Sequence, residues 1–140
     1  VPTDEYTGIL IYAADMLPVH GDDTEALVIP ALLPGIYYET PDGRGAERLM
    51  EAGHVNPDRI FQDGMVMYDD DIADAEFSAR TGENPLRIVA SGVFGRYPTD
   101  VIISREDAMQ ILATEHNRSL IREGRVAIVI SSRELNPDRH

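Results

Sequence analysis

The stretch Leu86 to Ser131, LRIVASGVFGRYPTDVIISREDAMQILATEHNRSLIREGRVAIVIS, decides how the chain folds, because it reads as one closed unit of strand, turn, helix and strand. Leu86, Ile88, Ala90 and Gly92 alternate with Arg87, Val89, Ser91 and Val93 in a run dense in β-branched residues, the pattern of one strand buried on one face and partly on the other. Gly92, Gly95 and Pro98 punctuate it. Ser104 then offers a side-chain oxygen to the free amides of a first helical turn, and Asp107 sits near the positive end of the dipole. The spacing predicts one helix from Arg105 to Gly124, the residue type that most easily takes the left-handed C-terminal conformation. Val126 to Ile130 follows as a short buried strand.

Outward from that unit the chain is punctuated by turns. Thr7 to Ala14 is apolar and reads either as an ordered first strand or as an arm that waits for a partner's sheet edge. Gly21, Asp22 and Asp23 mark a turn, and Leu27 to Leu33, interrupted by Pro30, suits an edge or irregular strand. Pro41, Asp42 and Gly43 form a second turn, since Pro presets one dihedral and Gly accepts a positive one. Ala46 to Ala52 is expected as a short helix closed by Gly53. Asp69 to Asn84, acidic and glycine-containing, is expected as a long loop. On the long helix Met109, Leu112, Ala113, His116 and Leu120 share one stripe at about 100° per residue. Ile111 and Ile121 lie off it, to be covered either by another loop or by a neighbouring subunit.

At 140 residues with 43% hydrophobic content the chain suits a single modest core. The expected organisation is an arm over 1–14, one domain over 15–131 and a mobile tail over 132–140. The expected fold class is α+β, mainly β: a small mixed β fold with one long helix in its C-terminal half and an extended N-terminal arm. No apolar stretch is long enough to span a bilayer, so no membrane partner is expected. No basic, apolar signal segment opens the sequence as given. Without cysteine the fold has no disulfide and no thiolate chemistry. A net charge of -13 argues against the basic surface of a general nucleic-acid binder. All 12 basic residues are Arg, which fits either Arg-favouring codon usage or the acidic, lysine-poor surfaces of high-salt organisms.

Few residues suggest chemistry. Asp69, Asp70, Asp71 and Asp74 could gather a hard cation, but they lack the alternation and closing Glu of a calcium loop, so a solvated acidic loop is favoured. His20, His54, His116 and His140 show none of the close spacings of zinc-binding helices, and His116 on the apolar stripe suits a hydrogen-bonded core or interface role. Ser91 lacks the glycine two positions earlier that a nucleophile elbow needs, and Gly92 with Gly95 is no phosphate loop. Paired carboxylates can be drawn from almost any of the 25 acids, so they point nowhere. No enzyme, metal or cofactor is expected.

Three segments in order carry a likeness to a known family: Pro34, Gly35, Ile36 and Tyr37; then Gly64, Met65, Val66, Met67, Tyr68 with Asp69 to Asp71; then Ser91, Gly92, Val93, the helix from Arg105, and Gly124 to Ile130. In this order Leu33 to Ile130 resembles the lambda-type head decoration proteins of tailed bacteriophages. The resemblance implies a virion structural protein, a homotrimer on the outer capsid surface that binds the major capsid protein and stabilises the expanded shell. The arm would bind the capsid through Tyr6, Gly8, Ile9, Leu10, Ile11 and Tyr12, and Ile111 and Ile121 would lie at the subunit interface. Another virion part, such as a tail or neck component, a small enzyme, or an acidic ligand-binding domain are the alternatives.

Overall fold

The computed structural model describes residues 5–32, 34–50, 54–76, 78–94 and 98–135. Its centre is β1 (Gly8–Tyr12), whose sequence GILIY is apolar on both faces, as an inner strand of a parallel sheet must be. β1 lies between β7 (Pro85–Val89) and β10 (Val126–Val129), parallel to both, with Tyr12 in register with Val89 on one side and Val129 on the other. β6 (Met67–Asp69) completes a four-stranded parallel sheet of order β6-β10-β1-β7.

A second four-stranded sheet has the order β5-β4-β9-β8, from β4 (Ile36–Glu39), β5 (Ala46–Met50), β8 (Gly92–Phe94) and β9 (Asp100–Ile103). The turn at Pro41 to Gly43 closes the β4–β5 hairpin, with the Thr40 amide on the Gly45 carbonyl at 3.0 Å. The chain changes sheets between two adjacent residues: the Ala90 amide donates to Tyr12 in the first sheet at 2.9 Å, and the Ser91 amide to Ile102 in the second at 2.8 Å. The run from Leu86 to Val93 is therefore two strands in two sheets. β2 (Leu17–Pro18) and β3 (Glu25–Ala26) form a small hairpin beside β8, where a side chain on Gly92 would press on the Pro18 carbonyl at 3.0 Å.

The helices are short: α1 (Pro57–Asp63), α2 (Ile72–Glu76), α3 (Arg105–Leu112), α4 (Glu115–Arg122) and α5 (Ser132–Leu135). Ser104 caps α3 by accepting from the Asp107 amide at 3.1 Å. The expected single long helix is divided at Ala113 and Thr114, because Thr114 caps a new helix by accepting from the Asn117 amide at 3.0 Å. Buried Asn117 then donates to the Gln110 carbonyl at 2.9 Å, satisfying the end of the helix just closed.

These observations correct the expected class. The domain is α/β around a parallel sheet, with no long helix among the described residues and no free arm from Gly8 onward. Ile9, Leu10 and Ile11 are at most 2% exposed, because β1 is paired on both edges and covered on both faces. Ala46 to Met50 is strand β5, held by its pairing with β4 and by Leu49 and Met50 in the core; the rest of that expected helix, to Gly53, lies outside the described residues. The expected loop from Asp69 to Asn84 contains α2, whose Ala75 plugs the far face of the sheet against Leu10, Ala127 and Val129. Of the tail, Ser132 to Leu135 is α5 and residues 136–140 lie outside the described residues.

Candidate functional site

The amino ends of the four parallel strands are locked together by arginine and threonine. Thr7, just before β1, donates its hydroxyl to the Thr81 carbonyl at 2.7 Å, accepts from the Asn84 amide at 2.8 Å and gives its own amide to the Asn84 carbonyl at 2.9 Å. Arg125, just before β10, donates Nε–H to the Thr7 carbonyl at 2.6 Å. Arg80 donates to the Gly124 carbonyl through Nε and to the Gly64 carbonyl through Nη2 at 2.6 Å, so one guanidinium ties the approaches to β6 and β10. Glycine makes this close packing possible. A side chain at Gly8 would stand 2.5 Å from the Thr81 backbone, and Gly124 holds φ +66°, in the left-handed region, directly after α4.

A cleft of about 420 Å³ opens over this lock, lined by Arg59 from α1, Arg80, Arg125, Glu123, Met67 and Ala79. Three of the chain's 12 arginines meet there, with Glu123 the acid among the described lining residues. Arg59 Nε donates to Glu123 Oε2 at 3.3 Å, and both side chains are nearly half exposed. Such a pair is worth little in water and exchanges readily for a better anion. A second hollow of about 340 Å³ shares Glu123 and Arg125 with the first and continues past Thr7, Tyr6, Ser119 and His116. His116 Nε2 lies 2.6 Å from the Tyr6 carbonyl there, and Ser119 donates to the His116 carbonyl at 2.5 Å.

Guanidinium groups stay protonated at every physiological pH, so this cleft can pair with an anion, in two-pronged fashion if the anion is a carboxylate or phosphate. The resolved acid–base shifts lie elsewhere. Burial beside the second sheet pushes the Tyr68 hydroxyl up to about 12, and that oxygen accepts from the Ala31 amide at 3.2 Å. Glu115 is held below its ordinary value, first by the hydrogen bond from Arg122 and then by that from Arg118.

The residues singled out in the sequence are mostly structural here. Gly8 to Tyr12 form β1, and Tyr6 alone of the six arm residues reaches the candidate site, lining its second hollow. Ile111 and Ile121 are 1% and 5% exposed in the single chain, where both belong to the main hydrophobic core. Asp69 and Asp71 cap the approach to α2: Asp69 accepts from the Asp71 amide at 3.1 Å, and Asp71 from the Ala73 amide at 2.8 Å. Among the described residues no three acids or histidines converge as metal ligands. Ser91 hydrogen-bonds Glu39 and the Ile102 carbonyl, and His20 stacks on Phe94 with ring centroids 5.2 Å apart. His140 lies outside the described residues. Arg59, Arg80 and Arg125 were not legible as a site, since they come from three distant segments; the nearest signal is an arginine beside a turn glycine, at Arg80 to Gly82 and at Gly124–Arg125.

Fold and cleft together define a small α/β domain whose parallel sheet carries an arginine-lined hollow at its amino end. A family model for the second domain of the Treponema pallidum protein Tp0624 matches residues 8–132, from the first residue of β1 into α5, and the chain belongs to that family. No curated protein matches the chain.

Proposed function

We propose that the chain is a binding domain that holds an anionic group by charge pairing at the amino end of its parallel sheet. One observation carries the reading: Arg59, Arg80 and Arg125, from three separate segments, line a single hollow, two of them fixed in place by bonds to backbone carbonyls. A guanidinium already anchored loses less side-chain freedom when it meets an anion, so the site is preorganised. The net charge of -13 disfavours a general attraction of anions, which favours a specific place for one.

The decoration-protein reading, a homotrimer bound to a major capsid protein on a virion surface, relies on a free arm and an uncovered helix face. Tyr6 to Tyr12 and Ile111 with Ile121 are instead part of one chain's own fold, so the anion-binding reading draws on more of the molecule. Calorimetric titration with acetate and with inorganic phosphate at low ionic strength tests it. The wild type is expected to bind at least one of them, and Arg59→Ala to weaken that binding about tenfold with an unchanged unfolding midpoint, the size expected for one charge-assisted contact of ~1.4 kcal/mol. Equal heats for wild type and variant would defeat the proposal.

A further inference from the structure

The parallel sheet ends on one side in a strand with a single neighbour. Among the described residues β7 pairs with β1 alone, while at the opposite edge α5 lies beside β6. The Ala90 amide donates to Tyr12, so Leu86, Ile88 and Ala90 turn their backbone groups towards β1, and the residues between them, Pro85, Arg87 and Val89, turn theirs outward. Pro85 has no N–H, and its carbonyl accepts from Arg87 Nη1 at 3.4 Å. Ser91 has already left for the second sheet, where its amide donates to Ile102. Arg87 and Val89 therefore present both a backbone donor and a backbone acceptor at the edge.

The side chains guard this edge weakly. An unpaired charge is a common guard of a free strand, but Arg87 is already joined to Glu76 of α2, Nε to Oε1 at 3.3 Å. In the register of β7 with β1, Arg87 and Val89 stand beside Leu10 and Tyr12, on the face where α2 packs over Leu10, Ala127 and Val129. Val89 is 69% exposed there, although parallel sheets are normally covered on both faces.

We propose that the occupant of this edge is a second copy of the chain, its β7 laid antiparallel to the first about a two-fold axis at Ile88. The register follows from the groups on offer. In an antiparallel ladder, two facing residues with outward backbone groups exchange both of their hydrogen bonds. With Ile88 on the axis, Arg87 faces Val89 of the second copy and Val89 faces its Arg87, so each outward donor of this pair meets an outward acceptor. An axis at Arg87 would set guanidinium against guanidinium and ask Pro85 for an N–H it lacks. An axis at Val89 would face Arg87 with Ser91, whose amide is held by Ile102. The edge is thus complementary to itself in length and order, as a two-fold contact requires. A longer foreign strand would find no further bonds past Pro85 and Ser91.

Sedimentation equilibrium in about 1 M sodium chloride tests this, since a Debye length of ~3 Å screens the repulsion between two chains of net charge -13. The expected result is a monomer–dimer equilibrium. Val89→Pro removes an N–H that the single chain does not use, and should raise the dimer dissociation constant at least about tenfold. Val89→Arg sets like charges face to face across the axis and should weaken the dimer to a similar degree. Val89→Glu instead sets a carboxylate opposite Arg87 of the second copy, and should leave the dimer at least as tight as the wild type. A wild type that stays monomeric overturns the proposal, and so does a dimer that Val89→Arg and Val89→Glu affect alike. Val89→Arg and Val89→Glu alter an exposed side chain, so their contrast decides the matter whether or not the proline variant folds.

Discussion

The two ends of the parallel sheet are built from opposite charges. At the amino end, Arg80 and Arg125 donate to backbone carbonyls of the segments that lead into β1, β6 and β10, and Arg59 joins them at the cleft. At the carboxyl end, Asp69 and Asp71 accept from backbone amides as the chain turns into α2, and Asp15 follows β1 exposed to solvent. Each sign is placed where the backbone offers its complement: carbonyls for arginine, free amides for aspartate. The difference shows that net charge is a poor guide to local chemistry. In a chain of net charge -13, three guanidinium groups line the edge where four segments are tied together.

The comparison rests on β1 being a central strand, and the largest expected effect follows from that. Removing Val1 to Asp15 takes away the strand that pairs with both β7 and β10, so the truncated chain should show no cooperative thermal unfolding. A cooperative transition near that of the intact chain would mean that these residues are an arm after all. The contrast between ends comes next. Arg80→Met strips the Gly64 and Gly124 carbonyls of a charged donor and is expected to cost about 3 kcal/mol in denaturant unfolding, within the range for such bonds. Asp71→Ala removes the oxygen that caps α2 and should cost about 1 kcal/mol. Equal losses would remove the asymmetry in how the two ends are secured. The smallest effect belongs to Glu115. Its carboxyl is held below the ordinary 4.5, first by Arg122 and then by Arg118, so its contribution is present above that value and disappears as pH falls through the lowered one. It is fully exposed, so Glu115→Gln should shift the neutral-pH midpoint only slightly, and the two unfolding curves should merge in acid. A gap that widens as pH falls would contradict the pairing.

Local structure with a local cause was legible in the sequence. Ser104 capped a helix where its spacing to Asp107 said it would, Gly124 ended one, Pro41 to Gly43 made a hairpin turn, and Val126 to Val129 is a buried strand. What failed was decided across distance or by a second local signal that the first masked. Thr114 followed by Glu115 is as good a helix start as Ser104, but the apolar stripe from Met109 to Leu120 runs across the break and hid it. Asn56 at the cap with Pro57 in the first turn is likewise a helix start, and α1 begins there. The apolar run Gly8 to Tyr12 suits an inner parallel strand as well as an arm, and only its partners, about 75 and 115 residues away in sequence, decide between them. The arginine cleft is non-local for the same reason: its members meet because the parallel strands β6, β10, β1 and β7, in that order, all begin at the same edge of the sheet.

The most direct measurement is an amide-resolved titration of the ¹⁵N-labelled chain with acetate at low ionic strength. The account predicts saturable changes confined to Thr7, Gly64, Arg80, Gly124 and Arg125, weakened by added salt as exposed charge pairing requires and shifted to about tenfold higher acetate concentration in Arg59→Ala. Changes that fail to saturate, or that gather instead around Asp69 to Asp74 at the opposite end of the sheet, would contradict it.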